Sequence, residues 1–598
     1  MSLIVDRRNV EFLLYEVFDS ERICNSLSYN SYDRETVCSV LDLAQSIAEA
    51  EYLPIASLVD TNEPEIVDGK PVTPRETKEA LRAYADAGFF SATFPSEIGG
   101  MEMPWHIYTQ VTNMFSCANT SVHGYSLLTT ATANVIEKFG SDTQKSLFLK
   151  PLLEGRWFGT MCLSEPHAGS SLADLSTKAL PTHKEHFLIS GTKMWISGGD
   201  QDISENIVHL VLARLPDAPP GVRGISLFIV PKIRVDQSGG LGVPNDVTLV
   251  GLNHKMGHRG TINTVLCFGD NEDCHGYLIG EPNKGLRYMF HMMNEARIAI
   301  GQGATMCGLG GFLHSLEYAK QREQGRLPGN KNPLTPPVPI IEHADVKRLL
   351  MAQKAFVEGA SCLIAYCAQL VDETKLRTSS RSLERCTYLL EILTPIAKSW
   401  PSEFCLEANK LAMQVLGGYG YTRDFPLERY YRDNRLNPIH EGVHAIHGID
   451  LLGRKVQMEN GAALSYLIHE MQETIEQAQS NTDIADLATE LSVALKQLIE
   501  LTYDLLNESD LNKRLSNATM YLDAFGHIVI AWMWLLQVIP ASRQLANESS
   551  EDRDFYQGKI AACRYFFAYE LPLARTKLEI VGQSNPAFLS SDARHFSC

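Results

Sequence analysis

The run RDNRLNPIHEGVHAIH, residues 432–447, gathers one carboxylate and three imidazoles in a single short stretch. Glu441 stands between apolar-leaning neighbours and a glycine. Loss of water there raises a carboxyl pKa toward that of a useful general base. The same residue also suits a surface or helix-capping glutamate. His440, His444 and His447 share one face of any continuous helix, so a zinc-type site is geometrically open. Pro438 and Gly442 argue against a helix that begins before His440, and no metal is expected.

Three further segments carry residue types that bind flat or anionic ligands. Met161-Cys162-Leu163-Ser164-Glu165-Pro166-His167-Ala168-Gly169-Ser170-Ser171 offers small residues and hydroxyls that let backbone amides approach a ligand, or simply a turn. In Gly191-Thr192-Lys193-Met194-Trp195-Ile196-Ser197-Gly198-Gly199, strand alternation puts Trp195 and Ser197 on one face. That face presents an indole for a flat ring and a hydroxyl to bond it; a core tryptophan beside a turn serine has the same pattern. Gln414-Val415-Leu416-Gly417-Gly418-Tyr419-Gly420-Tyr421 places three glycines at the end of an apolar helix, as a C-cap or a nucleotide contact requires. It lacks the strand–GxGxxG–helix setting of a dinucleotide fingerprint.

The elements that must position these groups change character along the 598 residues. Amphipathic stretches such as Glu35–Leu53 and Arg75–Ala87 make the first block helical. Short β-rich runs then follow: His186–Ser190, Lys193–Ser197, Ile207–Leu215, Ile225–Val230 and Thr261–Phe268, with turn residues between them. Helical patterns resume after Gly285, broken by the proline-rich loop Leu327–Pro339 and again near Lys455–Gly461. The expected fold is mainly α with a central antiparallel β sandwich or barrel. Its blocks are helical 1–157, β 158–284, a helical bundle 285–458 and a C-terminal helical domain 459–598. No alternation of β and α elements supports a doubly wound sheet.

Composition narrows the function classes. The apolar and charged fractions, 44% and 21%, are those of a globular protein. A net charge of −18 disfavours general affinity for nucleic acid. The thirteen cysteines form no CxxC pair, and the N-terminus does not read as a signal peptide. A cytoplasmic location with reduced thiols is expected. Ile528–Pro540 is too short for a membrane span and suits a buried helix better than an interfacial one, although membrane-surface association stays open.

In order and spacing these segments resemble the flavin-dependent acyl-CoA dehydrogenase superfamily. The carriers are the helical start, LSEPxxGS, KMWIS, a second helical region, QxxGGxGY and RDxRxxxIxEG. The chain is most similar to the long subgroup with an extra C-terminal helical domain, which holds methylthiopropionyl-CoA and broad-range acyl-CoA dehydrogenases. The resemblance implies FAD as cofactor and an acyl-CoA substrate, with a role in fatty acid β-oxidation. Glu441 would take the α-proton, its main-chain amide would bond the thioester carbonyl, and Arg297 would lie near the carboxylate. Leu163 and Ser164 would contact the pyrimidine side of the flavin, Trp195 its ring system and Ser197 its N5. Ser170, Asn294, His440 and Gly442 would lie along the substrate. Arg322, Gln414, Gly417 and Gly418 would reach the FAD of a neighbouring subunit, which implies at least a homodimer, with an electron-transfer flavoprotein as acceptor.

The chain departs from the family at several positions. His440 and Val443 stand where Tyr and Thr or Ser are usual, so the cofactor-contacting position 443 lacks its hydroxyl. Ser171 replaces an aspartate, and Gln324-Gly325 replace Thr-Phe. An acyl-CoA oxidase is a rival within the fold. A flavin-bearing nucleic-acid-binding protein is the rival from another class, but residues 461–598 carry 10 basic against 18 acidic side chains and repel DNA. A non-catalytic scaffold would leave the Glu441 constellation without a purpose.

Overall fold

A computed structural model describes residues 2–26, 31–330, 332–376, 379–547, 551–583 and 586–597, with the backbone only of 26 and 290–294. The chain divides into two compact units, 31–296 and a second formed by 1–30 with 297–598. The first thirty residues thus belong with the C-terminal half.

In unit 31–296, helices α1 (Arg34–Ile47), α2 (Arg75–Asp86) and α3 (Trp105–Phe139) precede the sheet. Asp33 caps α1 by accepting from the Thr36 amide. The proline at 104 opens α3, a mostly buried helix whose polar face includes Thr129 and Thr132. Thr129 accepts from the Gly159 amide, which joins α3 to the first sheet strand.

The sheet has eight strands: β1 (Trp157–Cys162), β2 (Lys178–Pro181), β3 (Phe187–Ser197), β4 (Asn206–Arg214), β5 (Ile225–Pro231), β6 (Val247–Leu252), β7 (Asn263–Phe268) and β8 (His275–Leu278). Their order is β6-β7-β3-β8-β5-β4-β1, with β2 paired to β3 and β4. Pairing is antiparallel except that β4 runs parallel to β1 and to β2. The central β domain is as expected, but its strands are not all antiparallel, since the sheet is mixed at this edge. Strands β4 and β5 are buried almost throughout, because both of their faces are covered.

Two strand runs expected on either side of Ser190-Gly191-Thr192 form one continuous strand, β3. Gly191 serves close approach there, not a turn: a Cβ would come within 2.6 Å of Thr177 Oγ1. A small hairpin, Glu65–Val67 with Lys70–Val72, adds β structure to a block expected to be mainly helical.

The division between units falls within α4 (Gly285–Gln321). The second unit continues with α5 (Ala344–Glu373), α6 (Ser380–Leu416), α7 (Leu427–Asn434) and α8 (His444–Gly453). Within the expected Lys455–Gly461 break, Glu459, Asn460 and Gly461 all take positive φ. These three residues kink the start of α9 (Met458–Gln479), which is followed by α10 (Ala485–Asn507), α11 (Ala518–Leu545), α12 (Arg553–Tyr565) and α13 (Leu571–Gly582).

Helix α11 contains the Ile528–Pro540 segment and is a core helix. Trp532 and Trp534 are almost wholly buried, and their indole N–H groups donate to Thr474 Oγ1 (2.8 Å) and the Ala355 carbonyl (3.0 Å). Helices α5 and α11 are long and apolar enough by composition to cross a membrane, but 89% of the apolar window of each is buried inside the protein. The N-terminal segment is held by Lys559, fully buried on α12, which donates to Asn9, to Glu358 (2.8 Å) and to Gln537 (3.0 Å). Arg8 adds an ion pair to Asp552 at 2.7 Å.

Helix α8 lies close against α11. A Cβ at Gly448 would come within 2.6 Å of the Ala518 carbonyl oxygen, whereas one at Gly453 would only touch Leu515 at 3.5 Å. Gly448→Val is expected to cost about 1–3 kcal/mol by overpacking and to lower the melting temperature. Gly453→Ala is expected to leave it unchanged, as thermal unfolding of the two variants will show.

Candidate active site

Glu441 sits on the loop between α7 and α8 with φ +51, and Gly442 follows at φ +94. A glutamate in this region is uncommon, and its strain is maintained only where neighbours hold it. Two side chains do so. His447 donates from Nε2 to the Glu441 carbonyl at 3.1 Å, and Lys398 donates to the Gly442 carbonyl at 2.8 Å. A Cβ at 442 would come within 2.9 Å of His447 Nε2, so glycine is needed for both conformation and space. The Glu441 amide donates to no acceptor among the described residues.

Burial pushes the Glu441 carboxyl above the ordinary carboxylate range, against the pull of the Arg297 and Lys398 charges. Lys398, fully buried on α6, is itself brought down to about 8 by burial, although Glu441 and Glu403 oppose this. Burial, together with the charges of Lys398 and Arg297, takes His447 down to about 3. The imidazole is therefore neutral, with its proton on the nitrogen facing the carbonyl. Arg297 is also buried, and donates to Asp450 at 3.3 Å.

His440 contacts Asn437 Oδ1 at 3.0 Å. Behind it runs a buried ladder in which Asn437 donates to Asn434 (2.9 Å) and Asn434 to Asn409 (2.7 Å). The polarity that His440 brings beside Glu441 is thus taken up by a built amide row. Helix α8 starts only at His444, so His440 is off the helix and the three histidines turn to separate partners. Among the described residues no His/Cys/Asp/Glu group has metal-binding geometry. Val443 occupies the N-cap of α8 without a side-chain cap, a role that a Thr or Ser hydroxyl would fill.

The residues foreseen for the flavin rings lie in the other unit, joined by a pair that sequence reading missed. Glu165 and Lys193 form a buried ion pair at 3.0 Å, and Lys193 also donates to the Leu163 carbonyl at 3.0 Å. The Met194 amide donates to the Ser164 carbonyl. Glu165 accepts from the amides and hydroxyls of Ser176 and Thr177. Burial opposes its ionisation, yet the Lys193 charge and these donors hold it down to about 2. The pair ties the Leu163–Ser164 segment to the Trp195–Ser197 strand. A register shift opposite Thr264–Leu266 makes β3 bulge there, and Trp195 takes φ +66 with 57% of its surface exposed. Ile196 is buried, so Trp195 and Ser197 both stay on the outer side. Ser197 Oγ accepts from Asn263 Nδ2 at 3.1 Å, which leaves its own proton for another acceptor. Ser170 is exposed, and Ser171 donates to Asp174 at 2.5 Å. Asn294 lies in the stretch 290–294, whose side chains are outside those described.

A third group gathers at one end of the helical bundle. Arg322 follows α4, while Gln414 and Gly417 close α6, Gly417 capping onto the Gln414 carbonyl at φ +60. The rings of Tyr318, Phe425 and Tyr419 pack edge to face between the two ends. Arg322, Gln414, Gly417 and Gly418 are all exposed, and nothing stands within 4 Å of a Cβ at either glycine. Gly325 takes φ +69 in the turn that hydrogen-bonds Val338, so a glycine suits that departure.

Both missed charges were inside the motifs, since Glu165 belongs to LSEP and Lys193 to KMWIS. Lys398 is a lone cation in the apolar-flanked TPIAKSW, a weaker sign.

Four family descriptions match in order: Acyl-CoA dehydrogenase, N-terminal domain, at 35–156; middle domain at 160–270; C-terminal domain at 283–456; and Acetyl-CoA dehydrogenase C-terminal like at 467–591. The chain is 35% identical to 3-methylmercaptopropionyl-CoA dehydrogenase of Ruegeria pomeroyi over 517 residues, 86% of each chain. It is 30% identical to a broad-specificity linear acyl-CoA dehydrogenase of Mycobacterium tuberculosis, over 96% of this chain and 97% of that one. A Bacillus anthracis acyl-CoA dehydrogenase solved with FAD shares the fold, with TM-score 0.74 and 20% identity over 97% of this chain and 95% of the other.

Two variants test the buried charges. Glu165→Gln strands Lys193 in the core and is expected to destabilise the protein at neutral pH by about 3–5 kcal/mol. The wild-type carboxylate contributes stability above its ordinary pKa and loses it as pH falls toward about 2. The gap between the two proteins in denaturant melts should therefore narrow as pH falls from about 5 toward 2. Lys398→Met removes a cation that lowers the Glu441 pKa. The acid limb of the pH profile of kcat/KM is expected to move to higher pH.

Proposed function

The chain belongs to the acyl-CoA dehydrogenase family of oxidoreductases, and from that premise we propose that it oxidises an acyl-CoA to the trans-2-enoyl-CoA with FAD as cofactor. The observation that carries this reading is the Glu441 loop: a half-buried carboxylate whose pKa is raised by burial, held at φ +51 beside two buried cations. A proton α to a thioester is weakly acidic, so its base must be free of water yet ionised. Burial raises the proton affinity of Glu441, while the charges of Arg297 and Lys398 oppose that rise and favour its ionised form. Its amide, which has no acceptor among the described residues, fits the thioester oxygen, on which charge grows as the α-proton leaves.

The residues present also fit the cofactor. Trp195 presents an exposed indole at a strained bulge, and Ser197 has a hydroxyl proton to give. When bound, FAD supplies the acceptor for the β-hydrogen and its electron pair. Leu163 and Ser164 border the same segment through their carbonyl bonds to Lys193 and Met194. Arg322, Gln414, Gly417 and Gly418, exposed at one end of the bundle, suit the adenosine diphosphate half of FAD from a second copy in a homodimer. The substrate class is a straight-chain acyl-CoA of medium or long length, or methylthiopropionyl-CoA, and an electron-transfer flavoprotein takes the electrons onward.

The test is an anaerobic absorbance titration of the FAD-loaded protein with a panel of acyl-CoAs. Bleaching of the flavin band by one chain length and not others supports the half-reaction and identifies the substrate. Glu441→Gln is expected to keep the flavin and slow bleaching by at least about 10²–10⁴-fold. A flavin-loaded protein that no acyl-CoA bleaches would overturn the reading.

A further inference from the structure

The loop that carries Glu441 is tied on its other side to the C-terminal helices. His444, three residues after the base and first in α8, contacts Asp523 Oδ1 on α11 through Nε2 at 2.8 Å. A carboxylate only accepts, so the imidazole proton sits on Nε2. The second carboxylate oxygen of Asp523 accepts from Lys577 on α13 at 3.0 Å. The other charged groups around this hook are Glu403 on α6, 3.9 Å from His444 Nδ1, and the His527–Glu570 contact at 4.0 Å; Glu407 also acts on Glu570. Burial pushes Asp523 up, but the His444 bond and the Lys577 charge keep it below the ordinary range, so Asp523 is ionised at neutral pH.

Close packing runs along the same helix pair. Gly448 admits the Ala518–Thr519 backbone of α11, so α8 cannot slide on it without a clash. His447, which grips the Glu441 carbonyl, is on this helix one turn from its start. Any shift of the α8 N-terminus is therefore passed directly to the base loop. Lys398 on α6 holds the adjacent carbonyl independently.

We propose that Asp523, through His444, makes the C-terminal helical block a positioning element of the active site, setting the place of the Glu441 loop. Asp523 and His444 are positioning residues: they act on the base through α8 and touch no reacting atom. The inference rests on the proposed function for its catalytic consequence, but its structural half stands by itself.

The experiment measures amide hydrogen exchange of peptides covering 438–447 in the full chain with FAD bound, together with kcat, KM and the pH profile of kcat/KM. Asp523→Ala is expected to speed exchange in this stretch by about tenfold. It should lower kcat by about tenfold with KM little changed, since small misplacements of a reacting group are costly. Its acid limb should move to lower pH, because a loosened loop lets water reach Glu441. Asp523→Asn keeps an oxygen for the His444 N–H and should restore wild-type values. His444→Ala, which removes the hook from the loop side and leaves Lys577 paired to Asp523, should repeat the Asp523→Ala result if that variant folds poorly. Arg564→Ala breaks an exposed ion pair to Asp486 in the same block and should change neither exchange nor kcat.

Unchanged exchange at 438–447 in both Asp523→Ala and His444→Ala would overturn the proposal, as would an equal change in Arg564→Ala. If wild type is bleached by no acyl-CoA, the dehydrogenase reading fails. The exchange result then still decides whether the hook holds the loop.

Discussion

A carboxylate partly withdrawn from water beside two buried cations is the interaction around which the Glu441 loop is built. Burial disfavours the ionised form of Glu441, whereas full solvation would weaken it in its proposed role as a base. The fold resolves the conflict by placing Arg297 and Lys398 close enough to oppose the burial without a direct neutralising contact among the described hydrogen bonds and ion pairs. The two cations are occupied elsewhere, Arg297 by Asp450 and Lys398 by the Gly442 carbonyl. Their charge reaches Glu441 while their hydrogen bonds fix the surroundings. Left-handed backbone at a glutamate costs on the order of 1–3 kcal/mol. Hydrogen bonds from a neutral His447 and a charged Lys398 are of the size needed to offset it.

The β unit uses the same physics for a different end. Glu165 and Lys193 are as buried as the leucines and valines around them. Such a pair contributes little net stability over an apolar alternative, but removing either partner is expensive. Its value is geometric. Five contacts converge on the Glu165 carboxylate, and Lys193 reaches past it to the Leu163 carbonyl. Two motifs separated in sequence by a whole strand and turn become one rigid surface. The bulge at Trp195 is affordable there because its neighbour Lys193 is anchored and Ile196 is packed in the core.

The C-terminal block is integrated into its unit by polar groups that are individually satisfied. Trp532 and Trp534 bond Thr474 and the Ala355 carbonyl, and Lys559 binds groups from three separate segments of the chain. Buried polar networks of this kind specify one arrangement more than they add stability, because every wrong arrangement leaves a polar group unpaired. Helix α11 is apolar enough to mimic a membrane span, and the packing around it explains the composition.

The sequence by itself determined the order of helical, β and helical regions, the glutamate and the glycine beside it, and the motif segments. All of these depend on local periodicity or on backbone freedom at single residues. It also carried the burial of Ile528–Pro540, since its apolar run has no polar face to show to water. It misread Gly191 as a turn, because a glycine that admits Thr177 looks the same in sequence as one that bends the chain. It missed Lys398 and His447 as holders of the base loop, and the tie from His444 to Asp523. Only the tertiary structure decided these, because each is a pairing between groups far apart in the chain or one whose direction depends on how a loop is turned. Spacing along a sequence fixes which residues share an element; which charges meet in a place without water depends on how the elements pack.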